Sequence, residues 1–412
     1  MDHPFFRDPR TIRRLYDGPL GEHLDALAAR LQERGYSYQS ARVQLRAVAE
    51  LSRWLARQGR RAKDLRPHHV EAYLRYRKQQ GLPFYRGAAA ACQTLLRLLA
   101  DQRIILPERR PRPRRGQRVE EAFAGYLTQE RGLAAATVVN YTYFVRQFLR
   151  DRFGGGRIQL AALRPTDITR FVQRHAHDGS PKSTQAMLSA LRAFLRHLWS
   201  RGTTAADLAT CVPGVPPWRF ATLPKYLRPG QVRQVLQACD RRSAPGRRDY
   251  AILLLLARLG LRAGEVIGLR LEDIDWGAGV LTVRSKGGRW TQLPLPADVG
   301  VALVRYLQRG RPRCASRQVF IRQLAPLRGF ADSTAISTLV ARALRRAGVA
   351  APHTGAHVFR HSLATGMLRA GASLAEIGEL LRHRHPDTTR LYAKVDVRAL
   401  RALALPWPGG GR

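Results

Sequence analysis

Residues 380 to 392 read Leu380-Leu-Arg-His-Arg-His-Pro-Asp-Thr-Thr-Arg-Leu-Tyr392. His383 and Tyr392 are separated by about 2.5 helical turns, so on one straight helix they would point in opposite directions. Pro386 cannot continue a helix, and Asp387 can cap a new one beginning at Thr388. A helix broken there lets an imidazole and a phenol face one site. The segment predicts a corner between two short helices near the C-terminus.

Two further clusters precede it. In His357-Val-Phe-Arg-His361, His357 and Arg360 are i and i+3 and share a helix face. In Leu259-Gly-Leu-Arg-Ala-Gly-Glu265, Arg262 and Glu265 have the same spacing, and Glu265 can hold the guanidinium in place. Between the clusters the pattern changes. Asp249 to Gly260 is an apolar helix signal, and Leu271 to Trp276 reads as a turn. Gly279 to Arg284 and Arg289 to Leu295 read as two strands joined by Ser285-Lys-Gly-Gly288, whose glycines suit a hairpin. From Val299 onward the pattern is helical, with Ser333 and Asp387 as candidate N-caps. This region is expected to be mostly α with one small antiparallel sheet.

The candidate residues are cations plus one phenol: Arg262, Lys286, His357, Arg360, His383 and Tyr392. Paired guanidiniums fork hydrogen bonds onto the non-bridging oxygens of a phosphodiester, whose negative charge grows in the transition state. Imidazoles donate hydrogen bonds and move protons near neutral pH. A tyrosine hydroxyl can serve as nucleophile and form a covalent intermediate. His361 and His385 are expected to support the fold or face solvent, and Tyr226 and Tyr250 to pack. His383 and His385, at i and i+2 on a helix, do not converge on a metal, so no zinc is expected there.

The charge balance points to the same partner. The 412 residues hold 71 Lys and Arg against 30 Asp and Glu, a net charge of +41. A chain so basic repels itself unless a polyanion is near, and nucleic acid is the leading candidate. The longest aliphatic run, Ala251 to Ala257, is far shorter than the ~20 residues of a membrane span. The N-terminus has no apolar signal core. Cys92, Cys211, Cys239 and Cys314 form no CxxC pair, which disfavours a disulfide scaffold or zinc ribbon and fits a reducing cytoplasm.

Two Pro-rich segments, Pro107 to Gly116 and Val212 to Pro224, divide the chain into 1–112, 113–217 and 218–412, each of domain size. The first two pieces resemble each other. Glu33-Arg34-Gly35 aligns with Glu130-Arg131-Gly132 at a shift of 97, and Leu65-Arg66-Pro67 with Leu163-Arg164-Pro165 at a shift of 98. Val70, Tyr73 and Leu74 then face Ile168, Phe171 and Val172. Leu45, Val48, Leu51 and Leu55 form one helical apolar stripe; Tyr141, Phe144, Val145 and Phe148 form another. Arg42, Arg46, Arg53 and Arg57, and Arg146, Arg150 and Arg152, lie between these stripes, where phosphate contacts would place them.

The third piece resembles the catalytic domain of the tyrosine recombinases, the family of phage integrases and Xer proteins. Gly260-Leu-Arg-Ala-Gly-Glu265 resembles its first arginine box, Lys286 its hairpin lysine, and His357 with Arg360 its His-x-x-Arg box. Leu381, His383, Thr388, Thr389 and Tyr392 resemble its Leu-Gly-His and Thr-Thr-x-x-Tyr segments. Residues 113–205 resemble the family's helical core-binding domain. Arg382 stands where the family usually has Gly, where it could contact phosphate or point to solvent, and the extra N-terminal copy departs from the two-domain plan.

The resemblance implies a fold of helical N-terminal DNA-binding modules followed by a mixed α/β catalytic domain. It implies that Tyr392 attacks a scissile phosphate and forms a 3′-phosphotyrosyl link, which stores the bond energy, so that no metal and no nucleotide cofactor is needed. Lys286 would protonate the leaving 5′ oxygen, Arg262 and Arg360 would clamp the phosphate, His383 would donate to it, and His357 would assist proton transfer at the nucleophile. The implied partners are double-stranded DNA recombination sites and further copies of the chain, or related recombinases, in a tetramer on DNA. The weakly amphipathic segment Val395 to Leu405 would dock on a neighbouring protomer or fold back on its own domain. A mobile-element integrase is expected; a Xer-like resolvase and a non-cleaving accessory protein are the alternatives.

Overall fold

The apolar stripes close into separate cores. The computed structural model describes residues 4–82, 87–105, 114–176, 180–214, 224–284, 290–383, 385 and 387–394. The chain forms two compact units, Met1–Pro107 with Phe220–Arg412, and Glu108–Arg219. It is mostly α, with one small antiparallel sheet.

Residues 1–107 hold helices α1 (Pro9–Leu15), α2 (Leu24–Glu33), α3 (Tyr38–Arg57), α4 (Pro67–Gln79) and α5 (Ala88–Asp101). Leu45, Val48, Leu51 and Leu55 of α3 are fully buried, as their spacing predicts. Leu327, from the C-terminal part of the same unit, donates its N–H to the carbonyl of Arg34 at 2.9 Å.

Glu108–Arg219 holds α6 (Gln117–Gly125), α7 (Ala135–Phe153), α8 (Pro165–His175) and α9 (Pro181–Ser200). Val145 and Phe148 are buried in its core, with Tyr141 and Phe144 packed at the edge. The order of elements repeats that of α2 to α5. A 3₁₀ turn at Ala62–Asp64 precedes α4, and one at Leu160–Ala162 precedes α8. Both α4 and α8 begin on a proline, where the missing N–H costs nothing. Arg66 N–H donates to His69 Nδ1 at 3.1 Å, and Arg164 N–H to Asp167 Oδ2 at 3.0 Å, so the same side-chain cap recurs 98 residues on.

The C-terminal part of the first unit holds α10 (Pro229–Gln237), α11 (Ala244–Arg258), α12 (Ala263–Gly268), α13 (Ala297–Arg309), α14 (Thr334–Arg346), α15 (His357–Arg369), α16 (Leu374–Leu380) and α17 (Asp387–Ala393). Its sheet runs in the order β1 (Ile274–Asp275), β2 (Val280–Arg284) and β3 (Trp290–Pro294), all antiparallel. The two expected strands form, with Leu281 opposite Leu293. The expected turn at Leu271 to Trp276 contains a 3₁₀ turn and then β1, because Ile274 buries its side chain against the core. α14 follows Ser333, but Asp332 Oδ1 rather than Ser333 accepts from its first N–H, at 2.7 Å. Among the described residues, no helix is long and apolar enough to cross a membrane.

Candidate active site

The site forms where the N-terminal ends of α12 and α15 meet the segment linking α16 to α17. Arg262 is the N-cap of α12. Glu265, one turn on, accepts from the Arg262 N–H at 2.8 Å and from its Nη1 at 2.7 Å. The carboxylate thus caps the helix and holds the guanidinium, as the i, i+3 spacing predicts. Arg262 Nη2 donates to the carbonyl of Arg382 at 3.2 Å, which ties the first cluster to the last.

Arg360 is buried on α15. Its Nη1 donates to the carbonyl of Gly260 and its Nη2 to the carbonyl of Leu381. Gly260 is required here. Its φ is +56°, and a Cβ would lie 2.6 Å from Leu381 Cδ2. Burial, with Arg262 and Arg382 nearby and Glu265 opposing, pushes the Arg360 pKa down to about 9, so the group remains cationic at neutral pH.

α16 ends at Leu380 and α17 begins at Asp387, so the helix breaks as expected. Asp387 is the first helical residue rather than a cap preceding the helix. The corner brings the His383 and Tyr392 rings parallel, with centroids 6.3 Å apart. His383 Nδ1 lies 2.7 Å from the buried Thr389 hydroxyl. Burial, then the charges of Arg360 and Arg262, lowers the His383 pKa to about 4. A neutral ring that accepts the Thr389 proton at Nδ1 carries its own proton on Nε2.

Tyr392 is buried in a small cluster with Ala364, Ile377 and Leu381. Burial raises its pKa to about 12, against the opposing pull of Arg360 and Arg262. Its hydroxyl lies 3.0 Å from His361 Nδ1. His361 was expected to play a supporting or solvent role, yet it is the imidazole that touches the phenol. The i+4 spacing from His357 was the available signal, since both face the same side of α15. His357 itself is exposed at the start of α15, with its ring centroid 6.4 Å from that of His361. Burial, then the charges of His357 and Arg360, lowers the His361 pKa to about 4.

Arg382 also departs from expectation. It neither faces solvent nor stands free for a phosphate. Its side chain is buried, with Nη2 3.0 Å from Glu265 Oε2 and Nη1 2.9 Å from the Leu380 carbonyl. Its φ is +56°, the left-handed region that glycine enters without strain. Burial pushes the Glu265 carboxyl up, but Arg382 and the hydrogen bonds from Arg262 outweigh it and hold the pKa below its usual value.

Arg262, Arg360, His383 and Tyr392 therefore come together, joined by His361, Arg382, Glu265 and Thr389. Lys286, in the β2–β3 connection, lies outside the described residues, as do Pro386 and the Val395 to Leu405 segment. Tyr226 accepts from Arg369 Nη2 at 2.6 Å, and Tyr250 packs against the core. Among the described residues, no three His, Cys, Asp or Glu side chains group to hold a metal ion. The arrangement offers two guanidiniums, two imidazoles that are neutral near pH 7, and a phenol within hydrogen-bond distance of one of them.

Comparison with known proteins points the same way. Residues 225–398 match the phage integrase family, and residues 121–202 match the phage integrase N-terminal SAM-like domain. The chain is 44% identical over 401 residues to "Putative integrase/recombinase y4rA" of Sinorhizobium fredii, covering 97% of each chain. It is 32% identical over 307 residues to tyrosine recombinase XerD of Mycobacterium tuberculosis, covering 70% of this chain and 96% of that one. In fold it resembles XerH site-specific recombinase bound to a palindromic difH substrate, with a TM-score of 0.54, 18% identity, and coverage of 70% of this chain and 84% of that one. It also resembles lambda integrase bound to a core site, with a TM-score of 0.52, 16% identity, and coverage of 68% and 95%.

Proposed function

The chain belongs to the phage integrase family of tyrosine recombinases, and from that premise we propose that it cuts and rejoins DNA at specific sites through a 3′-phosphotyrosyl intermediate. One observation carries the proposal: the Tyr392 hydroxyl, the Arg262 and Arg360 guanidiniums and His383 lie around one corner of the fold.

The Tyr392 oxygen attacks the scissile phosphorus as its proton passes to neutral His361, which touches it; His357 lies next in line. The bond from phosphorus to the 5′ oxygen breaks, and Lys286 protonates that oxygen. An arginine could not do this well, because its pKa is too high. Arg262 and Arg360 meet the charge that develops on the non-bridging oxygens, and His383 donates from Nε2. Rejoining is the reverse, with the 5′ hydroxyl of another strand attacking the phosphotyrosine. The covalent link conserves the phosphoester, so neither metal nor nucleotide is required. Full-length likeness to a rhizobial integrase/recombinase supports a mobile-element role, and strand exchange between two DNA sites calls for four copies of the chain.

The test is a duplex nicked near the crossover point, incubated with the protein in chelator. A covalent protein–DNA adduct is expected, and it disappears in Tyr392→Phe while DNA binding persists. An adduct that survives in Tyr392→Phe would falsify the assignment of the nucleophile.

A further inference from the structure

We propose that Arg382 is a positioning residue for strand cutting: through Glu265 it locks Arg262 and His383 to each other, so that both meet the scissile phosphate from fixed positions. The proposal rests on the reading of the chain as a DNA recombinase. It concerns a place where the sequence departs from the family's motif, which usually has glycine.

The backbone alone accounts for a glycine at this position. α16 ends at Leu380, the Arg382 N–H donates to the Glu379 carbonyl, and the His383 N–H donates to the Gly378 carbonyl, both at 2.9 Å. This pair of bonds is the Schellman helix stop, in which the residue at Arg382's place takes a left-handed conformation. Arg382 does so, at a φ of +56°. Glycine enters that region freely and arginine does not. A non-glycine residue stays there only when its surroundings hold it, and here the side chain supplies contacts that glycine lacks.

Those contacts close a ring. Arg382 Nη2 donates to Glu265 Oε2 at 3.0 Å, Glu265 Oε1 accepts from Arg262 Nη1 at 2.7 Å, and Arg262 Nη2 donates back to the Arg382 carbonyl at 3.2 Å. The ring joins the start of α12 to the residue just before His383. The adjoining backbone is held in the same manner. Arg382 Nη1 donates to the Leu380 carbonyl and Arg360 Nη2 to the Leu381 carbonyl, so three consecutive carbonyls each accept from a guanidinium. Glycine at 382 would keep the bonds from Arg262 and Arg360 and lose the link to Glu265. The Arg382 side chain is 5% exposed, so it acts on a phosphate through Arg262 rather than by touching it. It also leaves a net positive charge where Glu265 and Arg262 alone would cancel. Donors fixed in this way need not reorganise as charge develops on the phosphate.

The experiment measures adduct formation in single turnover on the nicked duplex, at saturating protein and in chelator, with DNA binding measured separately. All variants are compared below the lowest of their melting temperatures. Arg382→Gly keeps the left-handed turn and opens the ring. It should lower the rate constant by about 10-fold or more, while binding and the final yield of adduct stay at the wild-type level. A loss of folded protein would lower the yield instead. Arg382→Asn tolerates the left-handed region without glycine's freedom and should fall as far. In a Glu265→Gln background the anion is already gone, so Arg382→Gly should cause little further slowing. A Gly variant that reacts at the wild-type rate overturns the proposal. So does an Asn variant at the wild-type rate, which would trace the effect to backbone freedom, and so does a loss that multiplies in full in the Glu265→Gln background. An adduct that needs Tyr392 but not Arg382 overturns this proposal and leaves the recombinase reading standing; a wild type that forms no adduct overturns both.

Discussion

His361 Nδ1 lies 3.0 Å from the Tyr392 hydroxyl. An imidazole with a pKa near 4 is neutral across the physiological range, so it can accept the proton that the phenol must lose. His361→Ala should therefore slow adduct formation on the nicked duplex by about 100-fold without loss of DNA binding. The acceptor works only while unprotonated. In single turnover the rate should stay level from pH 8 to pH 6 and fall as the pH approaches 4. A fall centred near pH 6.5 would assign the proton to a group other than His361.

In the proposed reaction, His383 Nδ1 accepts from the Thr389 hydroxyl, 2.7 Å away, and Nε2 donates to the phosphate. Thr389→Val keeps the shape and removes the hydroxyl, so His383 is free to place its proton on Nδ1 and lose the donor at Nε2. Adduct formation should drop by about 10-fold, and Thr389→Ser should recover most of it. Equal rates for the Val and Ser variants would mean that Thr389 serves packing alone.

Much of this site was legible in the sequence, and what was missed has physical causes. Spacing placed Arg262 on Glu265 and predicted the break between α16 and α17, because helical periodicity and proline chemistry are local. Spacing could not rank His357 against His361. Both lie on one face of α15, and only the arrival of α17 from a distant part of the chain decides which of them meets Tyr392. Arg382 was missed for a similar reason. A basic residue beside a polar corner reads as solvent-facing until the fold buries it on Glu265, 117 residues away. In the first unit, the stripe through Leu45 to Leu55 announced the core, whereas Phe6 and Tyr76, over which Arg42 and Arg57 stack, lie outside α3.

Arg382 combines backbone strain with a buried ion pair, and two substitutions separate the terms. Arg382→Ala removes the pair and keeps the strained left-handed backbone; Arg382→Gly removes both. A non-glycine residue in that region costs roughly 1–2 kcal/mol. Both variants should be less stable than the wild type, with the Gly variant the more stable of the two by about 1 kcal/mol. Denaturant unfolding at neutral pH reads the order. An Ala variant at least as stable as the Gly variant would remove strain from the account.

Glu265 holds Arg262 and Arg382 together, and Arg360 lies close by, so its charge should support the fold as well as the site. Its pKa is depressed in the folded chain, so its contribution is complete above the unfolded value of 4.5 and is lost as the pH falls through the folded value. The lowered pKa values of His361 and His383 act in the same direction from about 6.5 downward, so the wild type should begin to lose stability before Glu265 titrates. Comparison with Glu265→Gln isolates the carboxylate. At pH 7 the variant leaves a cluster of buried or half-buried guanidiniums without their anion and should be destabilised by about 3–5 kcal/mol. As the pH falls through the depressed folded value the wild-type carboxyl becomes neutral too, and the two unfolding curves should converge. A gap that stays constant down to acid unfolding would show that the substitution acts through shape and hydrogen bonding rather than through charge.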